Sequence, residues 1–179
     1  MCLQIYMLQD FPSSDIVEET MYAIAAVLVE EGKTDEAVKR FEDVASKFPG
    51  TNTARSAYRK IAKMRKDNKN FDEAIRYFKK VLTDDNNESN AQTQYEIAEC
   101  VEAKGDLAQA VTEYLKVPYF YSKGIFWAVR AQLKCAQNFE RLEKLDEAGK
   151  LDEKLAVMNI EESEFAKKRL EWIKWRMAK

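Results

Sequence analysis

The stretch Asn70-Phe71-Asp72-Glu73-Ala74-Ile75-Arg76-Tyr77-Phe78-Lys79-Lys80-Val81-Leu82 decides the fold. Its centre, Phe71-Asp72-Glu73-Ala74, recurs as Thr34-Asp35-Glu36-Ala37, as Leu107-Ala108-Gln109-Ala110 and as Leu145-Asp146-Glu147-Ala148. The four alanines stand 37, 36 and 38 residues apart. A period of that length, with one supersecondary unit per copy, is the signature of a solenoid. Only 5 Gly and 3 Pro occur in 179 residues. That depletion favours helix over strand and turn.

Working outward, each copy reads as two helices. Counted from first residues Glu18, Arg55, Ala91 and Val129, position 8 is Ala25, Ala62, Ala98 and Ala136. Position 20 is Ala37, Ala74, Ala110 and Ala148, and position 27 is Val44, Val81, Val117 and Leu155. Position 7 is Ile24, Ile61, Ile97 and Cys135. Position 24 is Phe41, Phe78 and Tyr114, and then Asp152, which breaks the pattern. One small residue per helix lets two backbones approach, and the large residues fill the seam beside them at helical spacing. The turn between the helices falls at positions 15–17. Gly32 and Gly105 occupy position 15, where a helix often ends with positive φ, while Lys69 and Glu143 replace glycine in the other copies.

This pattern of small residues at 8 and 20, Gly near 15, an aromatic at 24 and, in the first copy, Pro49 at 32 resembles the tetratricopeptide repeat. The resemblance implies an all-α, right-handed α-α superhelix. It covers repeats at 18–51, 55–88, 91–124 and 129–162, preceded by a half repeat over 1–14 and closed by a capping helix over 163–179, as one array across 1–179. Departures are the lack of Trp at position 4 and a spacing longer than the family's usual one. Lys47-Phe48-Pro49-Gly50-Thr51 and Tyr95-Glu96-Ile97-Ala98-Glu99-Cys100 look like the family's bacterial envelope branch, which includes Tol–Pal-associated proteins and outer-membrane assembly lipoproteins. That likeness implies a periplasmic or cell-envelope location. Free cysteines fit an oxidising periplasm poorly, so a cytoplasmic location stays open.

Three segments stand outside the regular pattern. Phe11-Pro12-Ser13-Ser14 parallels Phe48-Pro49-Gly50-Thr51, so residues 3–9 take the place of a second helix without its first. Either this half repeat caps the array or the chain is cut from a longer protein; the expectation is the cut, with apolar surface left open at this edge. Pro118 is expected to end or kink a helix, and five aromatics follow it by Trp127. They read either as cover for the seam between copies three and four or as an anchor for a partner. Glu164 to Ala178 reads as one last helix, with Ala166, Leu170, Ile173 and Met177 toward the array, Phe165 and Trp172 widening that stripe on one side, and Lys167, Lys168, Lys174 and Arg176 toward water.

Composition excludes several function classes. There is no His, which removes the commonest general base and metal ligand. No phosphate loop, GxSxG or HExxH occurs, so no enzyme, cofactor or metal is expected. Cys2, Cys100 and Cys135 show no zinc or disulfide spacing. No apolar run approaches the roughly 18 residues of a membrane span, and direct membrane insertion is not expected. The net charge of −2 gives no global pull toward nucleic acid.

Charge is uneven, however. Residues 1–50 hold 4 Lys/Arg against 10 Asp/Glu, and residues 55–80 hold 10 against 3. Arg59, Lys63 and Lys66 are spaced to share one helix face. The family lines a concave groove with positions 2, 5, 9 and 12 of successive first helices. By that resemblance Tyr22, Arg59, Lys63, Lys66, Tyr95 and Glu99 are the partner-binding residues, with Tyr22 and Tyr95 as aromatic walls. The family's clamp for a C-terminal carboxylate, Lys at 5 and Asn at 9, is absent. The expected function is that of an adaptor or scaffold that binds a protein or peptide segment, an acidic one by this charge. The alternative is a self-assembling structural protein that uses the open N-terminal half repeat. Nucleic-acid binding through the copy-two face is not expected, because no aromatics interleave its basic residues.

Overall fold

The computed structural model describes residues 15–158 and 160–178, and the half repeat expected over 1–14 lies outside them. The described residues form helices and no strands. They divide into two compact units, one ending at Val81 and one beginning at Leu82. The first holds α1 (Asp15–Glu30), α2 (Thr34–Lys47), α3 (Asn52–Asp67) and α4 (Phe71–Val81). The second holds α5 (Glu88–Ala103), α6 (Leu107–Phe120), α7 (Ile125–Arg141), α8 (Leu145–Ala156) and α9 (Glu162–Met177). Within each unit every helix packs on its successor, and alternate helices also touch, α1 on α3 and α5 on α7.

The repeated alanines explain that packing. Ala25, Ala62, Ala98, Ala136, Ala37, Ala74, Ala110 and Ala148 are all fully buried. Without side chains beyond Cβ, they bring the two helices of each hairpin close. Phe41, Phe78 and Tyr114, with Val44, Val117 and Leu155, fill the space beside them and are equally buried. In the second unit Tyr95, Ala98, Ala110, Tyr114, Val117, Ala131 and Cys135 form one continuous core.

The hairpin turns share one geometry. Gly32 and Gly105 have φ of 73° and 91°, and Lys69 and Glu143 both have φ of 59°. Gly32 N–H donates to the Val29 carbonyl at 3.0 Å and Lys33 N–H to that of Leu28 at 2.9 Å. Lys69 and Asn70 repeat this on Lys66 and Arg65, and Glu143 and Lys144 on Glu140 and Phe139. These paired bonds close a helix over one left-handed residue. A Cβ there costs roughly 1–2 kcal/mol, part of which a more flexible unfolded chain takes back. Lys69→Gly and Glu143→Gly are therefore each expected to stabilise the protein by about 0.5–1 kcal/mol, visible as a higher thermal midpoint. Unchanged or lower midpoints would mean that lost chain entropy outweighs the relieved strain.

Helix starts follow from local chemistry. Asp35 and Glu36, Asp72 and Glu73, and Asp146 and Glu147 fill the first turns of α2, α4 and α8, where negative charge meets the positive helix end. The α6 start uses the Asp106 carboxylate, which accepts from the Gln109 N–H at 3.0 Å. Thr51 caps α3 by accepting from the Ala54 N–H at 3.1 Å. Asn90 secures the stretch before α5, its side-chain amide donating to the Thr83 and Asp85 carbonyls at 2.9 and 2.7 Å.

Pro118 does not end its helix. It lies inside α6, which continues to Phe120 and closes with Tyr121 N–H on the Val117 carbonyl at 3.0 Å. A proline this near a helix end removes only one of the last ladder bonds. Of the aromatics that follow, Tyr121 and Trp127 pack against the core, while Tyr119, Phe120 and Phe126 are exposed. The reading as cover for the seam holds for Tyr121 and Trp127.

Candidate partner-binding faces

In the first unit Arg59, Lys63 and Lys66 stand on one face of α3, Lys63 exposed and the other two half-buried. Tyr22 stands on α1, which touches α3. Its ring meets Phe41 edge-on at 5.1 Å, and burial pushes its phenol pKa up. Neighbouring basic residues also have contacts within the fold. Arg55 donates to the Gly50 carbonyl at 2.8 Å, Arg65 pairs with Glu73 at 2.9 Å, and the Lys80 ammonium lies 4.8 Å from the Tyr58 ring. The first and last residues of copy one are also tied to each other, since the Thr51 hydroxyl donates to the Glu18 carboxylate.

In the second unit Tyr95 is only 5% exposed. Its ring sits 5.3 Å from Tyr114 and 5.2 Å from Trp127, and burial, reinforced by Glu99, pushes its phenol up to about 12. Its faces are thus used by the core, which corrects the expectation of a free aromatic wall at this position. Its hydroxyl hydrogen-bonds Arg130, whose guanidinium lies 5.1 Å from the Phe126 ring and 5.8 Å from that of Trp127. Glu99 follows one turn after Tyr95 and is half-buried.

Arg130 is position 2 of copy four, a groove position by resemblance, but neither it nor Phe126 was among the residues selected for partner binding. The signal was available, because Phe126 and Arg130 are four apart on one helix and so stack. Glu102, a groove position by resemblance, is instead an internal tie. It accepts from the Tyr114 hydroxyl at 2.7 Å and pairs with Lys134 and Arg141 of α7 at 3.3 and 3.1 Å. Glu113 is a second tie. Burial alone would raise its pKa, but Lys116 at 2.8 Å and Gln94 at 2.9 Å outweigh this and lower it. Among the described residues no group of three or more acidic or thiol side chains could hold a metal, and no helix is long and apolar enough to cross a membrane.

Two models of the tetratricopeptide repeat match the chain, one over residues 19–51 and one over residues 65–133. The chain carries tetratricopeptide repeats. Solved structures agree on the fold. A Podosopora anserina protein described as a kinesin light chain with nearly identical TPR-like repeats is 18% identical, with a TM-score of 0.61 over 84% of this chain and 79% of that one. The C-terminal part of a TPR repeat-containing protein from Cytophaga hutchinsonii, also 18% identical, gives 0.52 over 87% of this chain and 69% of that one. No curated protein matches the chain in sequence.

The tetratricopeptide repeat models end at residue 133, a few residues into the copy that begins at Val129, and the structure shows how the rest of that copy departs. Asp152, at the position held elsewhere by an aromatic, is fully buried. Arg169 of α9 reaches it, Nε to Oδ2 at 3.1 Å, and its Nη2 lies 2.8 Å from Glu140 of α7. Burial pushes both carboxyl pKa values up, against the pull of Arg169. The last helix of this repeat protein is thus fastened by charge as well as by Ala166 and Ile173, which are buried against the array.

Proposed function

We propose that this protein is an interaction module, an adaptor or scaffold whose first helices bind a segment of a protein partner. Tetratricopeptide repeats are protein-binding modules, and the exposed chemistry of the first helices supports that use here. The observation that carries the reading is the Arg59, Lys63 and Lys66 face of α3. Basic side chains gathered on one helix face favour a segment bearing Asp or Glu, since Arg binds carboxylate bidentately. In the second unit Arg130 adds a cation set on aromatic rings.

The envelope is the location this reading favours. Cys100 and Cys135 are buried, and burial pushes the Cys135 thiol up to about 12. Inert thiols of that kind tolerate an oxidising compartment, which supports this reading for Cys100 and Cys135, while Cys2 lies outside the described residues.

A random-peptide library selected on the full chain supplies ligands for the test. Affinity of the selected peptides is then measured for the wild type and for Arg59→Glu/Lys63→Glu, with the helical fold checked by circular dichroism. The expected result is acidic peptides whose binding weakens with salt and falls by about tenfold or more in the variant. Peptides without acidic residues, or affinity held within about twofold, would move the site off α3.

A further inference from the structure

The first and last helices of the described residues carry exposed strips of opposite character. On α9 the buried face is Ser163, Ala166 and Ile173. Beside it run Phe165, Lys168, Trp172, Trp175 and Arg176, at helical spacing and all exposed, with Phe165 at 48%, Trp172 at 41% and Trp175 at 56%. The Arg176 guanidinium lies 5.2 Å from the Trp172 ring. Residues 165–177 hold 5 Lys/Arg against 1 Glu, a net charge of +4. This differs from the expected cap, in which Phe165 and Trp172 were to widen the apolar side that meets the array.

On α1 the buried face is Val17, Glu18 and Ala25. The opposite side shows Ile16, Glu19, Ala23, Val27 and Glu30, again at helical spacing and all exposed, with Ile16 at 58% and Val27 at 55%. Residues 15–47 hold 9 Asp/Glu against 4 Lys/Arg, a net charge of −5. One strip is therefore apolar and acidic, the other aromatic and basic.

We propose that the α9 strip of one copy docks on the α1 strip of a second copy. Lys168 and Arg176 face Glu19 and Glu30, while Phe165 and Trp172 cover Ile16 and Val27. This contact uses helices within the described residues and does not depend on the half repeat over 1–14. It also goes beyond partner binding through α3. Each copy offers one strip of each kind, so the contact is head-to-tail and permits chains of copies. A single helix pair covers less than the roughly 800 Å² per partner of a standard interface, so association is weak and follows concentration. Charge steers it, and salt weakens it.

Sedimentation velocity of the full chain, from low to high micromolar concentration and at low and high salt, tests the proposal. The expected result is a mass that rises with concentration at low salt and much less at high salt. Lys168→Glu/Arg176→Glu and Glu19→Lys/Glu30→Lys should each weaken self-association by roughly tenfold or more, and mixing the two variants should restore a complex. Trp172→Ala should weaken it without changing the charge. A monomer at every concentration overturns the proposal. So does association that survives both charge reversals, or a variant mixture that stays monomeric. A monomer that instead co-floats with anionic phosphatidylglycerol vesicles would reassign the α9 strip to lipid and likewise overturn it.

Discussion

Arg169→Leu is expected to destabilise the protein by about 3–5 kcal/mol, because it leaves a buried carboxylate without its cation. Asp152 is fully buried and Arg169 nearly so, and the ion pair between them closes at 3.1 Å. The cost has a sign in pH. Burial already raises the folded-state pKa of Asp152 above its ordinary value, and removing Arg169 takes away what holds it down. A raised carboxyl pKa penalises folding above it and ceases to do so once the group is protonated in both states. The variant should therefore recover stability as pH falls through the raised pKa of Asp152 toward the ordinary carboxylate range, near 4. Replacing both partners, as Asp152→Phe/Arg169→Leu, restores the aromatic of the other three copies. It should recover most of the loss, leaving the cost of Glu140, which also pairs with Arg169. Thermal melts across pH decide this. A single variant as stable as the wild type at neutral pH would mean that water or another cation satisfies Asp152.

The second large effect concerns the seams. Ala62→Leu and Ala110→Leu should each cost about 1–3 kcal/mol, since each forces a branched side chain into a close helix contact. Ala62 and Ala110 are fully buried, Ala62 in the first unit and Ala110 in the core of the second beside Tyr95 and Tyr114. Each variant should lower the melting midpoint. Unchanged midpoints in both would place the alanines away from the seams and make the repeat register wrong.

Most of the fold was legible in the sequence because it repeats. An alanine that recurs four times at nearly one interval, flanked by Phe41, Phe78 and Tyr114 at another, states a helix contact more firmly than any single window of sequence. The turns at Lys69 and Glu143 were legible for the same reason, by alignment with Gly32 and Gly105, although neither residue prefers positive φ. The candidate faces were less legible. Tyr95 has the composition of a binding residue, but Trp127 arrives from another helix and closes over it. Sequence spacing within one helix carries no record of such a neighbour. Glu102 was misplaced likewise, because Lys134 and Arg141 reach it from α7 across thirty or more residues of chain. Asp152 looked like a broken repeat until Arg169 stood beside it.

Hydrogen–deuterium exchange of the full chain, with and without a saturating library-selected peptide, tests most directly the claim that the first helices form the binding surface. The account predicts slowed exchange in α3, centred on Arg59 to Lys66, and in α5 or α7 around Tyr95 and Arg130. Protection confined to the second helices α2, α4, α6 and α8, with α3, α5 and α7 unchanged, would contradict it.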